Sequence, residues 1–186
     1  MMKSRVLFEI GLLFGVPMIL VTQVPLEKSN FIIIPVGILI ALRTLHLIRK
    51  KELIVTSRGG WIWYALAAVF GCTFYWIFRE SLTLPEWLTD EEPLSFTLAH
   101  TLMQEVAFRV YLLNQLKKLG FGIFGSALLN GLAFGLVHGV LPDSLWIMLL
   151  TFGAGVVWSL IYQKNHNLAG VWFSHAVVNK FLNLVT

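Results

Sequence analysis

Charged side chains are scarce in this chain: Asp, Glu, Lys and Arg make up 13% of its 186 residues, whereas 57% are hydrophobic. A water-soluble domain has too little interior to bury so large an apolar share, which excludes an ordinary soluble fold. The solvent around most of the chain is therefore predicted to be a lipid bilayer. The net charge of +4 comes from Lys and Arg in connecting loops, so it indicates membrane topology and not nucleic-acid binding.

Cysteine and aspartate are almost missing, and two common hydrolase motifs are absent. Cys72 is the only cysteine, which excludes an internal disulfide and a cysteine-based zinc site. Asp90 and Asp143 are the only aspartates and fall between apolar segments, which excludes a pair of intramembrane aspartates. No His-Glu-x-x-His and no Gly-x-Ser-x-Gly occurs, so a zincin-type or site-2-type metal site and a rhomboid-like serine nucleophile are unsupported.

What the chain has instead is a series of apolar segments with nearly the length that spans a bilayer, about 20 residues. They predict an all-α fold, a polytopic membrane helix bundle of about seven transmembrane helices, in one domain covering residues 1–186. The predicted segments are 6–24, 31–48, 61–78, 94–116, 121–141, 144–162 and 168–185.

The loop charges predict how these segments cross the membrane. Basic residues lie at the N-terminus and after the second, fourth and sixth segments, whereas the acidic stretch 79–93 and the loop of Asp143 alternate with them. By the positive-inside rule, the N-terminus is cytoplasmic and the C-terminus is outside.

Polar residues inside three of the apolar segments are the candidate site. Ionisable groups at such positions are costly, so they usually face the bundle interior and mark a working site. Glu105 and Arg109 are four residues apart on the fourth segment and are predicted to pair. The candidate residues are Gln104, Glu105 and Arg109 on the fourth segment, His138 on the fifth, and His175 and Asn179 on the seventh.

These residue types suit the attack of water on an amide. A carboxylate or an imidazole can take a proton from water, and His or Asn can donate to the oxyanion that forms. Zinc held by Glu105, His138 and His175 is an alternative in ligand type, but no two of the three have a local ligand spacing. Neither a metal nor a cofactor is expected.

The order of the motifs resembles a known family. Gln-Glu-x-x-x-Arg at 104–109, Phe-x-x-x-His at 134–138 and His-x-x-x-Asn at 175–179 are similar to the signature of the CaaX protease and bacteriocin-processing family, which includes CaaX prenyl endopeptidases and bacterial Abi-type proteins. These proteins are glutamic intramembrane endopeptidases, and the resemblance covers about 94–186. It implies a CaaX-protease-like core in a bacterial inner (plasma) membrane. The substrate it implies is a membrane-anchored or lipid-modified peptide, cleaved near its end.

The resemblance also implies roles for single residues. The family's first glutamate activates water, and its His and Asn pair, here His175 and Asn179, holds the oxyanion. Phe134 belongs to the second motif with His138. Gln104 departs from the pattern because an amide of nearly the same size cannot accept a proton near neutral pH.

Three explanations for Gln104 stay open on the sequence alone. It is a substitution that inactivates the protein, or the chain is a natural pseudoprotease, or Glu105 serves as the base. The alternative function is a non-catalytic membrane protein of the same fold, in bacteriocin self-immunity or as a binding scaffold.

Two further expectations concern packing and depth. Gly131, Gly135 and Gly139 recur every four residues, which predicts a close helix–helix contact. His138 lies near the outer end of its segment and His175 about 10 Å from the inner start of its own, from a rise of about 1.5 Å per residue. A water-filled cavity opening to the outer half of the membrane is predicted.

Overall fold

The computed structural model describes residues 2–23, 26–78, 93–140 and 145–185. Within these ranges every regular element is helical, which confirms the all-α class. The predicted acidic connection at 79–92 and Asp143 lie outside the described residues. The helices are α1 (Met2–Ile10, Gly11–Gly15 and Val16–Thr22), α2 (Leu26–Arg49), α3 (Trp61–Phe78), α4 (Leu94–Glu105, Val106–Leu112 and Leu113–Lys118), α5 (Ile123–Val140), α6 (Leu145–Asn165) and α7 (Leu168–Val185).

Helix ends differ from the predicted segments where polar residues continue a helix. The predicted 61–78 and 168–185 coincide with α3 and α7, but α6 runs three residues beyond the predicted end at Tyr162. Gln163 supports this extra turn because its Nε2 donates to the Ile123 carbonyl at 3.0 Å and its Oε1 accepts from Ser126 at 3.1 Å. The length of an apolar segment predicts the part of a helix that lies in lipid, and the helix itself continues beyond that part.

The central element of the bundle is α4. All seven residues from Ala107 to Leu113 are buried, and this stretch overlaps its π-helical part, Val106–Leu112. The backbone N–H of Leu113 donates to the carbonyl of Phe108, five residues earlier, which defines the wider turn. π-Turns are rare and often accompany functional sites. This one begins directly after Glu105.

Small residues let α5 and α6 approach each other closely, as the glycine spacing predicted. A Cβ at Gly131 would lie 2.9 Å from the Phe152 carbonyl oxygen, and one at Gly135 would lie 2.6 Å from that of Met148. On the facing helix, a Cβ at Gly155 would lie 2.9 Å from the Gly131 Cα. The role of Gly131 and Gly135 is therefore confirmed, and the surroundings of Gly139 lie outside the described side chains.

Gly131→Ala is expected to destabilise the protein by about 1–3 kcal/mol, because the added methyl group meets the backbone of α6. Gly153→Ala is the matched control, since a Cβ at Gly153 meets nothing within 4 Å. The control is expected to be neutral or stabilising by up to about 1 kcal/mol, from helix propensity. Thermal unfolding in detergent measures both, and equal melting temperatures would contradict the close packing.

Three of the basic loop regions lie at one end of the bundle. Lys118 Nζ, at the end of α4, is 3.1 Å from Glu52 Oε2 in the α2–α3 loop and lowers the pKa of that carboxyl group. Thr56 in the same loop donates its N–H to the carbonyl of His166, between α6 and α7, at 2.8 Å. Burial, with Lys117 nearby, lowers the pKa of the His166 ring.

Glu9 is the one acidic residue of α1, and its carboxylate contacts polar side chains of three helices. Its Oε1 lies 3.2 Å from Arg5 Nε, one turn earlier on the same helix. The structure adds Arg43 Nη2 at 2.8 Å, Tyr111 Oη at 2.9 Å and Gln115 Nε2 at 3.2 Å. Glu9 thus joins α1 to α2 and α4.

Apolar side chains cover much of the outside of the bundle. Phe31, Phe70 and Phe124 are each at least 70% exposed, which suits contact with lipid and not with water. Among the described residues, Phe31–Arg49 and Leu145–Asn165 are long and apolar enough to cross a bilayer. Trp61–Ile77 and Ile123–His138 are apolar but shorter, so seven membrane-spanning helices remain a prediction.

Candidate active site

A cavity of about 410 Å³ lies among α3, α4, α5, α6 and α7. Most of its wall is apolar, from residues such as Phe70, Leu150 and Val157. The structure brings to this one cavity a residue from each of the three motifs. The polar side chains that line it include His100, Gln104, His138, His175 and Asn179.

Gln104 bridges two imidazoles. Its Nε2 lies 3.3 Å from His100 Nε2 and 3.3 Å from His138 Nε2. An amide nitrogen only donates, so each ring nitrogen accepts one of the two amide hydrogens. The amide oxygen of Gln104 is buried and has no hydrogen-bond partner among the residues that the structure describes.

The orientation of His138 is fixed by its own helix. Its Nδ1 lies 2.7 Å from the Phe134 carbonyl oxygen, which can only accept, so Nδ1 carries the hydrogen. Nε2 of the neutral ring therefore has a lone pair, which faces Gln104. The Phe134 ring lies beside the imidazoles, with centroids 4.3 Å from His138 and 5.6 Å from His175. The phenylalanine of the second motif thus packs between the two histidines.

Glu105 lies behind the cavity wall and does not line it. Its side chain has no exposed surface, and its Oε1 accepts from His175 Nδ1 at 2.7 Å. Its Oε2 lies 3.2 Å from Arg109 Nε, the pairing that the spacing predicted, although the two groups are not aligned as a hydrogen bond. This placement removes the carboxylate from the reach of a substrate, which weighs against Glu105 as a base toward water.

Arg109 is fully buried and is held by polar and aromatic partners. Its Nη1 donates to Asn130 Oδ1 at 3.0 Å, and its guanidinium carbon lies 4.6 Å from the centroid of the Phe134 ring. Asn130 Nδ2 in turn donates to the Phe108 carbonyl at 2.7 Å, in the π-helical turn. Arg109 therefore links the first motif to α5 and does not reach the cavity.

Asn179 completes the polar lining one turn beyond His175. Its side chain faces the cavity and makes no hydrogen bond within the part of the chain that the structure describes. Its amide hydrogens are therefore available to a ligand.

From the sequence, a site contact and helix packing were equally open for His100, and Asn130 was given an interhelical hydrogen bond as its alternative but no chemistry. His100 lies one turn before Gln104 and contacts it, and Asn130 is two turns before His138 on the same face of α5. The four-residue repeats 100–104 and 130–134–138 were the signals that could have identified both.

Among residues 2–23, 26–78, 93–140 and 145–185, no group of three or more His, Cys, Asp or Glu side chains could hold a metal ion.

Comparison with known proteins found a family similar to the second half of the chain. Residues 93–181 match the family of type II CAAX prenyl endopeptidases described as Rce1-like. This segment is similar to the Rce1-like CAAX protease family. The match covers just under half of the chain and contains every candidate site residue, and it confirms the resemblance found in the motifs. No curated protein and no solved structure matches the chain.

The Rce1-like family is membrane-embedded, in agreement with the apolar α2 and α6. The Rce1-like segment begins at the start of α4 and ends within α7. The helices α1, α2 and α3 therefore lie outside the matched region, although α3 contributes to the cavity wall.

Proposed function

We propose that this chain is an intramembrane endopeptidase that cleaves a membrane-anchored or lipid-modified peptide near its end by attack of water. The observation that carries the proposal is the convergence of Gln104, His138, His175 and Asn179 on one cavity with an otherwise apolar wall. Such a wall suits a lipid chain or an apolar peptide end, and the polar patch suits a peptide bond.

The cavity holds the groups that amide hydrolysis needs. Imidazole can accept a proton from water and return it to the leaving nitrogen. Asn179 offers amide hydrogens to a developing oxyanion, and such donors are worth more in a cavity of low dielectric than in water. The similarity of residues 93–181 to an endopeptidase family supports the same reaction.

Gln104 reduces the rate in this chain, in our proposal. With glutamine, the amide donates directly to His138 Nε2. With glutamate, both the carboxylate and that nitrogen are acceptors, so the arrangement favours a water molecule that donates one hydrogen to each. A nucleophilic water would then be held between two bases. The amide of Gln104 occupies the contact that such a water would make.

The location we propose is a bacterial inner (plasma) membrane, with a cytoplasmic N-terminus and an outer C-terminus. The joining of the α2–α3, α4–α5 and α6–α7 loops at one end supports this orientation, because these loops and the helix ends beside them carry seven of the fourteen Lys and Arg residues. His138 lies near the opposite end of α5, which supports a cavity that opens to the outer half. The partners are then the lipid bilayer and a membrane-anchored protein or peptide.

A second function is favoured by Gln104 alone. A site without a carboxylate base at this position suits a non-catalytic protein of the same fold, in bacteriocin self-immunity or as a binding scaffold. Hydrolysis by the chain distinguishes the two functions.

Gln104→Glu is expected to raise cleavage by at least about tenfold, since a positioned base contributes about 10²–10⁴-fold. Bacterial membranes containing either chain are incubated in H₂¹⁸O, and new C-termini carrying one ¹⁸O are counted by mass spectrometry. This readout works on a substrate that has not been identified beforehand. Membranes without the protein are the control. If neither chain produces labelled termini above that control, the endopeptidase proposal is wrong.

A further inference from the structure

Two tyrosine hydroxyls are buried in the bundle close to Glu105. Tyr64 of α3 has 1% of its surface exposed, and Tyr162 of α6 has none. Neither hydroxyl has a hydrogen-bond partner among the residues that the structure describes. Buried polar atoms in folded proteins nearly always have a partner, either from the protein or from ordered water. The two hydroxyls therefore indicate that a polar ligand lies between the helices.

The ion pair beside the tyrosines has unpartnered atoms of its own. Glu105 Oε2 and Arg109 Nε lie 3.2 Å apart without the alignment of a hydrogen bond, and Arg109 Nη2 also has no partner within the described ranges. Both hydroxyls interact electrostatically with Glu105, and Tyr64 also interacts with Tyr162 and Arg109. In the described part of the chain, this interior cluster has five unpartnered polar atoms, on Tyr64, Tyr162, Glu105 and Arg109.

Contacts among α3, α6 and α7 hold the two tyrosines beside the ion pair. Ser174 Oγ on α7 accepts from Trp158 Nε1 on α6 and donates to the Tyr64 carbonyl on α3, each at 3.0 Å. Gly170 lets the Tyr64 ring approach α7, since a Cβ at this glycine would lie 2.5 Å from the ring. Tyr162 follows Trp158 by about one turn of α6. The positions of the hydroxyls are therefore set by helices that are hydrogen-bonded to one another.

The chemistry of the interior cluster determines which ligand it can bind. The guanidinium N–H groups only donate, the carboxylate only accepts, and a phenol hydroxyl does both. The two charges balance, so a further ion in this buried region would be uncompensated. All four side chains are almost fully buried, so the ligand must be small. Water is small and neutral, it both donates and accepts, and a buried water makes about three hydrogen bonds.

We propose that the interior cluster is a binding site for buried water, which joins the two phenol hydroxyls to the ion pair. The bound water accepts from the Arg109 guanidinium and donates to Glu105 Oε2, so both charges are hydrated inside the bundle. Tyr64 belongs to α3, which lies outside the matched residues 93–181, so the site needs a helix that this segment lacks. The inference concerns the interior behind the cavity and does not depend on peptide cleavage.

The site lies toward the end of the bundle at which the basic loops meet. Tyr64 is the fourth residue of α3, and Tyr162 is three residues before the end of α6. The loops beside these two helix ends are joined by the hydrogen bond from Thr56 to His166. Each hydroxyl-bearing residue is therefore about one helical turn, roughly 5 Å along the axis, from the end of its helix. Water from that side reaches the site without crossing the cavity.

The sign of a change in melting temperature distinguishes bound water from unpartnered hydroxyls. If water joins each hydroxyl to the ion pair, Tyr64→Phe and Tyr162→Phe should each lower the melting temperature of the full chain in detergent by about 2–4 °C. If a hydroxyl has no partner, its removal should raise the melting temperature, because a buried unpaired polar group is costly. Tyr111→Phe is the matched control, since the Tyr111 hydroxyl donates to Glu9 at 2.9 Å, and it should lower the melting temperature by a similar amount.

An experimental structure at a resolution that shows ordered water tests the site directly. The native chain is expected to show a water oxygen about 2.7–2.8 Å from each tyrosine hydroxyl. The double variant Tyr64→Phe and Tyr162→Phe is expected to lose it. Hydroxyls bonded only to each other or to other side chains would overturn the proposal, and so would a melting temperature that rises or stays unchanged in either single variant. Neither measurement uses a substrate, so the outcome of ¹⁸O labelling decides the endopeptidase proposal separately.

Discussion

Replacing Arg109 by methionine is expected to lower the free energy of unfolding by about 3–5 kcal/mol. The guanidinium is fully buried, 3.2 Å from Glu105 and 3.0 Å from Asn130. Methionine fills a similar volume, but it leaves the Glu105 carboxylate without its cation inside the bundle. The cost arises because an unpaired buried charge cannot recover the solvation that it lost. Unfolding in detergent, followed by circular dichroism, measures the change.

A double substitution separates the charge from the packing. Glu105→Gln together with Arg109→Met removes both charges, so it should be more stable than Arg109→Met alone by about 1–3 kcal/mol, the cost of leaving a buried polar group unpaired. Lys118→Met is the matched control, because Lys118 pairs with Glu52 at a partly exposed position and is expected to change the melting temperature little. A native-like stability of Arg109→Met would show that the pair contributes nothing.

Asn179→Ala is expected to reduce the maximal rate of peptide hydrolysis by about 10²–10³-fold, the usual effect of removing one oxyanion donor. The effect should fall on kcat and spare KM, because the hydrogen bond strengthens as the carbonyl becomes an oxyanion. The peptide identified by ¹⁸O labelling serves as the substrate, with the protein reconstituted in liposomes.

The control for Asn179 is Asn114→Ala. Asn114 lies on α4, and its Nδ2 donates to the Val110 carbonyl at 2.7 Å, away from the cavity. The Asn114→Ala variant is expected to hydrolyse the peptide at the same maximal rate as the native chain. Equal rates for Asn179→Ala and the native chain would leave the oxyanion without a donor from α7, and the mechanism would have to be revised.

The helices and the motifs were predictable because each depends on local signals. Apolar length located α3 and α7 to the residue, and four-residue spacing predicted the pairing of Glu105 with Arg109. The glycine spacing predicted the contact of α5 with α6, since only small residues permit it.

Contacts between distant segments could not be predicted from spacing. The capture of Glu9 by Arg43 depends on how α1 and α2 pack, over a separation of 34 residues. The hydrogen bond between His175 Nδ1 and Glu105 Oε1 joins residues that are 70 positions apart, so spacing along one helix could not predict it. The sequence predicted that Glu105 pairs with Arg109, but not which of the neighbours Gln104 and Glu105 faces a cavity. Only packing shows that Gln104 faces the cavity and Glu105 faces the interior.

The close contact between α5 and α6 limits where a peptide can enter the cavity. The backbones of α5 and α6 are in close contact at Gly131, Gly135 and Gly155, so these two helices are expected to move together as one rigid unit. Separating the two helices would expose the backbone of both along this contact. A peptide is therefore expected to enter the cavity on a side other than the α5–α6 contact, such as the side of α3, whose Phe70 and Gly71 line it.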